Sequence, residues 1–143
     1  MAQKALNLED IVAGNIIQTK GIGSMTWLKD GERYSRLENN KQTGGTDIVA
    51  YRAKDNSREV IIPSSLLTDK STGRPIPVRS VSWSADNEKV LIYNNTRRVW
   101  RYDTRGDYWV LNLKDGALRQ LGKGMPESSM MFAKFSPDGT RVA

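Results

Sequence analysis

The side chains best suited to chemistry gather in one stretch, where Arg97, Arg98, Arg101 and Arg105 stand among Trp100, Tyr102 and Tyr108. A guanidinium keeps its charge at any working pH and offers parallel donors, so it suits carbonyl, carboxylate or phosphate oxygens. Interleaved with rings, the same residues suit a single nucleic-acid strand whose bases stack on the aromatics. They also suit a solvated strand-loop in which arginines lie over aromatic faces. The rest of the chain favours the plainer account. Its 22 basic and 16 acidic residues are interleaved, so the net charge of +6 reads as a solvated surface and no nucleic-acid partner is expected. Nucleic-acid binding would have to show a strongly salt-dependent affinity.

Much other chemistry is excluded by what is missing. With no histidine and no cysteine, this sequence cannot assemble a Ser-His-Asp or Cys-His nucleophile, a His-ligated zinc site or a disulfide. It holds no G-x-S-x-G elbow, no P-loop and no complete G-x-G-x-x-G; Gly21-Ile-Gly-Ser24 reads as a turn. Asp30, Asp86 and Asp138 lack the ligand spacing of a calcium loop, and turn chemistry accounts for them. The sequon Asn94-Asn95-Thr96 reads as a chance match. We therefore expect no catalytic residue, cofactor or metal within these residues. No apolar run is long enough to span a bilayer, so no membrane span is expected. The start Met1-Ala2-Gln3 shows no charged region followed by an apolar one, so no signal peptide is read.

What positions the arginine stretch is a repeat. Met25-Thr-Trp27-Leu-Lys-Asp30-Gly31-Glu-Arg33-Tyr34 matches Val81-Ser-Trp83-Ser-Ala-Asp86-Asn87-Glu-Lys89-Val90, and both match Ala133-Lys-Phe135-Ser-Pro137-Asp138-Gly139-Thr-Arg141-Val142. The aromatics lie 56 and 52 residues apart. Each unit ends a strand on an aromatic, turns on Asp-Gly or Asp-Asn, and starts a new strand behind a basic residue. Trp27, Trp83 and Phe135 are expected in equivalent buried positions. Further strands are predicted at Asp47–Tyr51, Arg58–Ile62, Asp107–Leu113 and Ala117–Leu121.

Four strands per unit fit a propeller blade. The predicted fold is all-β: a β-propeller fragment of about two four-stranded blades and the start of a third, with a short N-terminal helix over Leu8 to Ala13. The expected divisions are a lead over 1–24, a first blade over 25–67, a linker over 68–80, a second blade over 81–122 and the start of a third over 123–143. A β-sandwich of similar hairpins is the alternative architecture. A closed ring needs roughly four to eight blades, so the rest of the ring is expected outside this sequence. Unpaired edges would then make the isolated chain prone to association.

The segment Val90-Leu-Ile-Tyr-Asn-Asn-Thr-Arg-Arg-Val-Trp-Arg-Tyr-Asp-Thr-Arg-Gly-Asp-Tyr-Trp-Val-Leu-Asn-Leu113 resembles the N-terminal propeller of the dipeptidyl peptidase IV family. Leu6-Asn-Leu-Glu-Asp-Ile11 and Met131-Phe-Ala-Lys-Phe-Ser-Pro-Asp-Gly139 look like its bacterial form. Trp100-Arg101 before an aromatic strand is the most specific element. The resemblance implies a serine exopeptidase that removes X-Pro dipeptides, or tripeptides, from peptide N-termini. A C-terminal α/β-hydrolase domain would carry the triad, and an eight-bladed propeller would gate the substrate. A Glu pair from a later blade would hold the substrate amine. By position, Arg101 would bind a substrate backbone carbonyl, with Trp100 anchored in the blade on the opposite face. Tyr102 and Thr104-Arg-Gly-Asp107 match no family role. The implied partners are peptides with a penultimate proline and the hydrolase domain, with a parent homodimer as a further option. The implied location is periplasmic or cell-envelope.

Two functions follow. One is the substrate-gating and substrate-binding portion of a dipeptidyl peptidase, itself inactive without the triad. The other is a non-catalytic periplasmic propeller that binds a protein partner.

Overall fold

A computed structural model describes residues 23–143, together with Leu8, Val12 and Gly21. The helix expected over Leu8 to Ala13 lies, but for those two positions, outside the described residues. The rest is β structure with one turn of 3-10 helix, Ser64–Leu67.

The first blade is an antiparallel meander: β1 (Met25–Trp27), β2 (Arg33–Asn39), β3 (Thr46–Arg52) and β4 (Arg58–Ile62), in that spatial order. After the 3-10 turn comes a small hairpin, β5 (Thr68–Asp69) with β6 (Arg74–Pro75), so the span read as a linker carries structure of its own. The second blade repeats the meander with β7 (Ser80–Trp83), β8 (Lys89–Val99), β9 (Tyr102–Asn112) and β10 (Leu118–Gln120). Further along the same edge of β9, β11 (Met130–Met131) pairs with Gly106 and Arg105. An isolated bridge, Phe135 to Val142, opens the third unit.

Three turns show the repeat in atomic detail. The carbonyls of Leu28, Ser84 and Ser136 accept from the amides of Gly31, Asn87 and Gly139 at 3.0, 2.9 and 2.8 Å. The amides of Leu28, Ser84 and Ser136 donate in turn to the carbonyls of Arg33, Lys89 and Arg141. Gly31, Asn87 and Gly139 have φ of 69°, 58° and 66°, the left-handed region that glycine and asparagine tolerate. Asp30, Asp86 and Asp138 each accept the amide two residues on, at 2.9, 2.9 and 3.0 Å. The sequence repeat is thus a repeat of hydrogen bonds.

Central strands are buried on both faces, as blades stacked face to face require. Ile48, Ile62, Leu67, Ile76, Val90, Ile92 and Leu111 form one core spanning both blades, with Trp83 packed against it. Trp83 also bridges the blades, its Nε1 donating to Ser35 Oγ at 3.1 Å. Trp27 departs from the expected buried position, being 61% exposed. Its equivalent, Trp83, is covered by the blade before it, and among the described residues no blade precedes β1. Phe135 is half-buried.

Candidate functional site

The β8–β9 hairpin runs past the body of its blade. Its root is set by Asp107, which is buried next to the ladder partner Asn94. Asp107 Oδ2 accepts from Asn95 Nδ2 at 2.7 Å, and Oδ1 accepts from the Ser128 amide at 2.8 Å. The Ser128 hydroxyl closes the loop by donating to the Asn95 carbonyl. Above this clasp the ladder bulges twice, between Asn94 and Arg97 and again between Arg97 and Arg98. Bulges bend and twist a strand. They turn the ribbon towards a tight end in which Val99 pairs with Tyr102 and only Trp100 and Arg101 form the turn.

That geometry corrects one expectation. Trp100 does not anchor the blade: it sits at the tip with φ of 61° and is 95% exposed. Simple strand alternation fails here because the bulges and the turn reset the register.

Arg101 lines an open cleft of about 710 Å³ beside the hairpin, with Arg79, Arg98, Tyr93, Tyr102 and Asp103. Arg98 shares this cleft, and its Nη2 donates to the Arg101 carbonyl at 3.3 Å. Arg79 Nη2 stands 3.6 Å from Asp103 Oδ2, so one of the three guanidiniums is partly balanced by a carboxylate. Arg97 and Arg105 face each other in the ladder, exposed, and do not line the cleft. Chemically the cleft offers charged donors to oxygen acceptors, with tyrosine rings alongside, and it could hold a peptide carbonyl or carboxylate. Arg79, Tyr93 and Asp103 were missed from the sequence, since they converge from separate parts of the chain.

Among the described residues no helix is long and apolar enough to cross a membrane. The architecture is that of consecutive propeller blades. Over 99% of this chain it superposes on the crystal structure of Porphyromonas gingivalis dipeptidyl peptidase 4 with a TM-score of 0.73, at 18% identity and covering 19% of that chain. The family model for the dipeptidyl peptidase IV N-terminal region matches residues 84–143. Sequence relatives include a probable dipeptidyl-aminopeptidase B of Aspergillus oryzae, 25% identical over 114 residues and 79% of this chain. The corresponding protein of Aspergillus terreus is 25% identical over 148 aligned positions and 97% of this chain. In its fold, and in sequence over its second half, this chain is thus similar to the N-terminal region of the dipeptidyl peptidase IV family. The chain spans 12% and 16% of the length of those two relatives.

Proposed function

We propose that this region is the substrate-gating and substrate-binding portion of a serine exopeptidase that removes X-Pro dipeptides, or tripeptides, from peptide N-termini. The observation that carries the reading is Arg101 at the tip of a clasped hairpin, facing an open cleft, within the stretch that matches the family. Arg101 binds a backbone carbonyl of the substrate, and Arg98 adds charge beside it. The catalytic triad and the hydrolase domain belong to the longer protein, and the chain of 143 residues, with no histidine, does not turn over Gly-Pro or Ala-Pro reporters. A bacterial, periplasmic setting is part of the proposal; it draws on the bacterial structural likeness, while the sequence relatives named above are fungal. The exposed Trp100 favours a second reading, a propeller rim that grips a protein partner.

The test is Arg101→Ala in the full-length protein, with kcat/KM on an X-Pro reporter and a melting curve as control. Loss of a hydrogen bond from a charged donor costs about 1.5–3 kcal/mol, or roughly tenfold to hundredfold in efficiency. Wild-type efficiency, or loss that merely follows unfolding, defeats the assignment and leaves the partner-binding reading.

A further inference from the structure

Tyr93 sits where the long hairpin leaves its blade. It faces Tyr108 across the ladder, with ring centroids 4.9 Å apart and planes tilted by 31°. Its hydroxyl lies 3.1 Å from the carbonyl oxygen of Asp103 and 2.9 Å from that of Arg105. Those carbonyls flank Thr104, the extra residue of the bulge, because Arg97 pairs with Arg105 and Arg98 with Asp103. A bulge disrupts the ladder, and at this one Tyr93 offers a donor from outside it. Donating requires a proton. A tyrosine hydroxyl is protonated at neutral pH, and burial, ahead of the neighbouring Tyr108 and Asp103, pushes that of Tyr93 further above the ordinary value.

The ring itself fits only because residue 106 is glycine. A Cβ there would stand 2.3 Å from Tyr93 Cε2 and 2.6 Å from the Asn94 carbonyl oxygen. The backbone carbonyl of Tyr93 accepts from the Arg79 amide at 2.9 Å, and the Arg79 guanidinium meets Asp103. One residue therefore touches the incoming strand, the bulged return strand and the cleft wall.

We propose that Tyr93 is a positioning residue for Arg101: its hydroxyl pins the bulged return strand and so fixes the hairpin tip over the cleft. The proposal rests on Arg101 as the substrate contact. An exposed two-residue turn on a bulged ribbon samples many poses. Each pose that carries Arg101 away from the cleft lowers the competent fraction, and apparent affinity falls with it.

Tyr93→Phe removes the hydroxyl and keeps the ring over Gly106 and Tyr108; Gly106→Ala displaces the ring. Both go into the full-length protein, read by amide hydrogen exchange and by Michaelis parameters on an X-Pro reporter. Amides of 97–105 should exchange roughly fivefold to tenfold faster, while those of 108–112 stay protected, as loss of one hydrogen bond predicts. KM should rise by a similar factor with kcat little changed, since what is lost is ground-state positioning. Unchanged exchange at the tip in Tyr93→Phe overturns the proposal. So does an unchanged KM where Arg101→Ala raises it. If Arg101→Ala itself leaves KM alone, the substrate reading has failed, and the exchange result still decides whether Tyr93 pins the tip.

Discussion

Asp47 on β3 and Asp107 on β9 are matching carboxylates that hold matching partners. Asp47 Oδ2 accepts from Asn40 Nδ2 at 3.0 Å and Oδ1 accepts from the Ser64 amide at 2.7 Å. Asp107 does the same with Asn95 and Ser128. In each blade one side chain thus ties the mouth of the central hairpin to the chain leaving the blade.

Asp47→Ala and Asp107→Ala should each destabilise the protein by about 1–3 kcal/mol, the cost of stranding the donors around a buried acceptor. Asp47 also carries a pH signature. Burial pushes its carboxyl up, but the Ser64 and Asn40 donors outweigh burial and hold it below the ordinary value of 3.8. A depressed folded value means that Asp47 contributes fully above that ordinary value. The contribution is lost as pH falls through the depressed one. Urea midpoints followed from neutral pH into acid should fall less steeply in Asp47→Asn than in the wild type.

On the proposed function, Arg98→Ala in the full-length protein should weaken X-Pro turnover measurably, although less than Arg101→Ala. Arg98 holds the Arg101 carbonyl at 3.3 Å and adds charge to the same cleft. A neutral acceptor meeting a charged donor on an exposed hairpin supports a loss of about threefold to tenfold. Steady-state kinetics of the two single variants and the double variant would show non-additivity, because the residues touch.

Trp83→Phe should loosen the seam between the blades by about 1 kcal/mol, since it deletes the bond to buried Ser35 and keeps most of the apolar surface. A lowered denaturant midpoint with an unchanged slope is the expected result.

Asp30 and Asp138 should titrate well below ordinary carboxylates. Both are held down to about 2, Asp30 chiefly by the Arg33 guanidinium and Asp138 chiefly by the Ser136 hydroxyl. Arg33→Ala should raise the Asp30 midpoint and leave Asp138 where it is. Side-chain carboxyl shifts followed by NMR through an acid titration separate the two.

The contrast between these sites explains which features could be read from the sequence. The three Asp turns are local: an aspartate, a residue tolerant of positive φ and two backbone bonds all fall within a few positions. Spacing alone therefore exposes them, and β4 (Arg58–Ile62) was legible as a short run of strand-forming residues. The clasp was not, because Asn40 and Ser64 lie on either side of Asp47 at distances that the second blade does not reproduce. Trp27 looked like core because it holds the same repeat position as Trp83 and Phe135; whether that position is covered depends on the blade before it. Trp100 was misplaced because alternation assumes an unbroken ladder, and two bulges intervene. The cleft required Arg79 from before β7, Tyr93 from β8 and Asp103 from β9 to meet, which no linear pattern announces.

Asp107 fastens the hairpin at its root and Tyr93 and β11 hold its return strand, so only the tip around Trp100 and Arg101 stands clear of the blade. The first blade bridges its corresponding mouth with a shorter loop from Asn40 to Asp47, on the same three-way knot. A seal at the root separates what the tip recognises from what holds the blade together, so a foreign recognition loop could be grafted beyond it without redesigning the scaffold beneath.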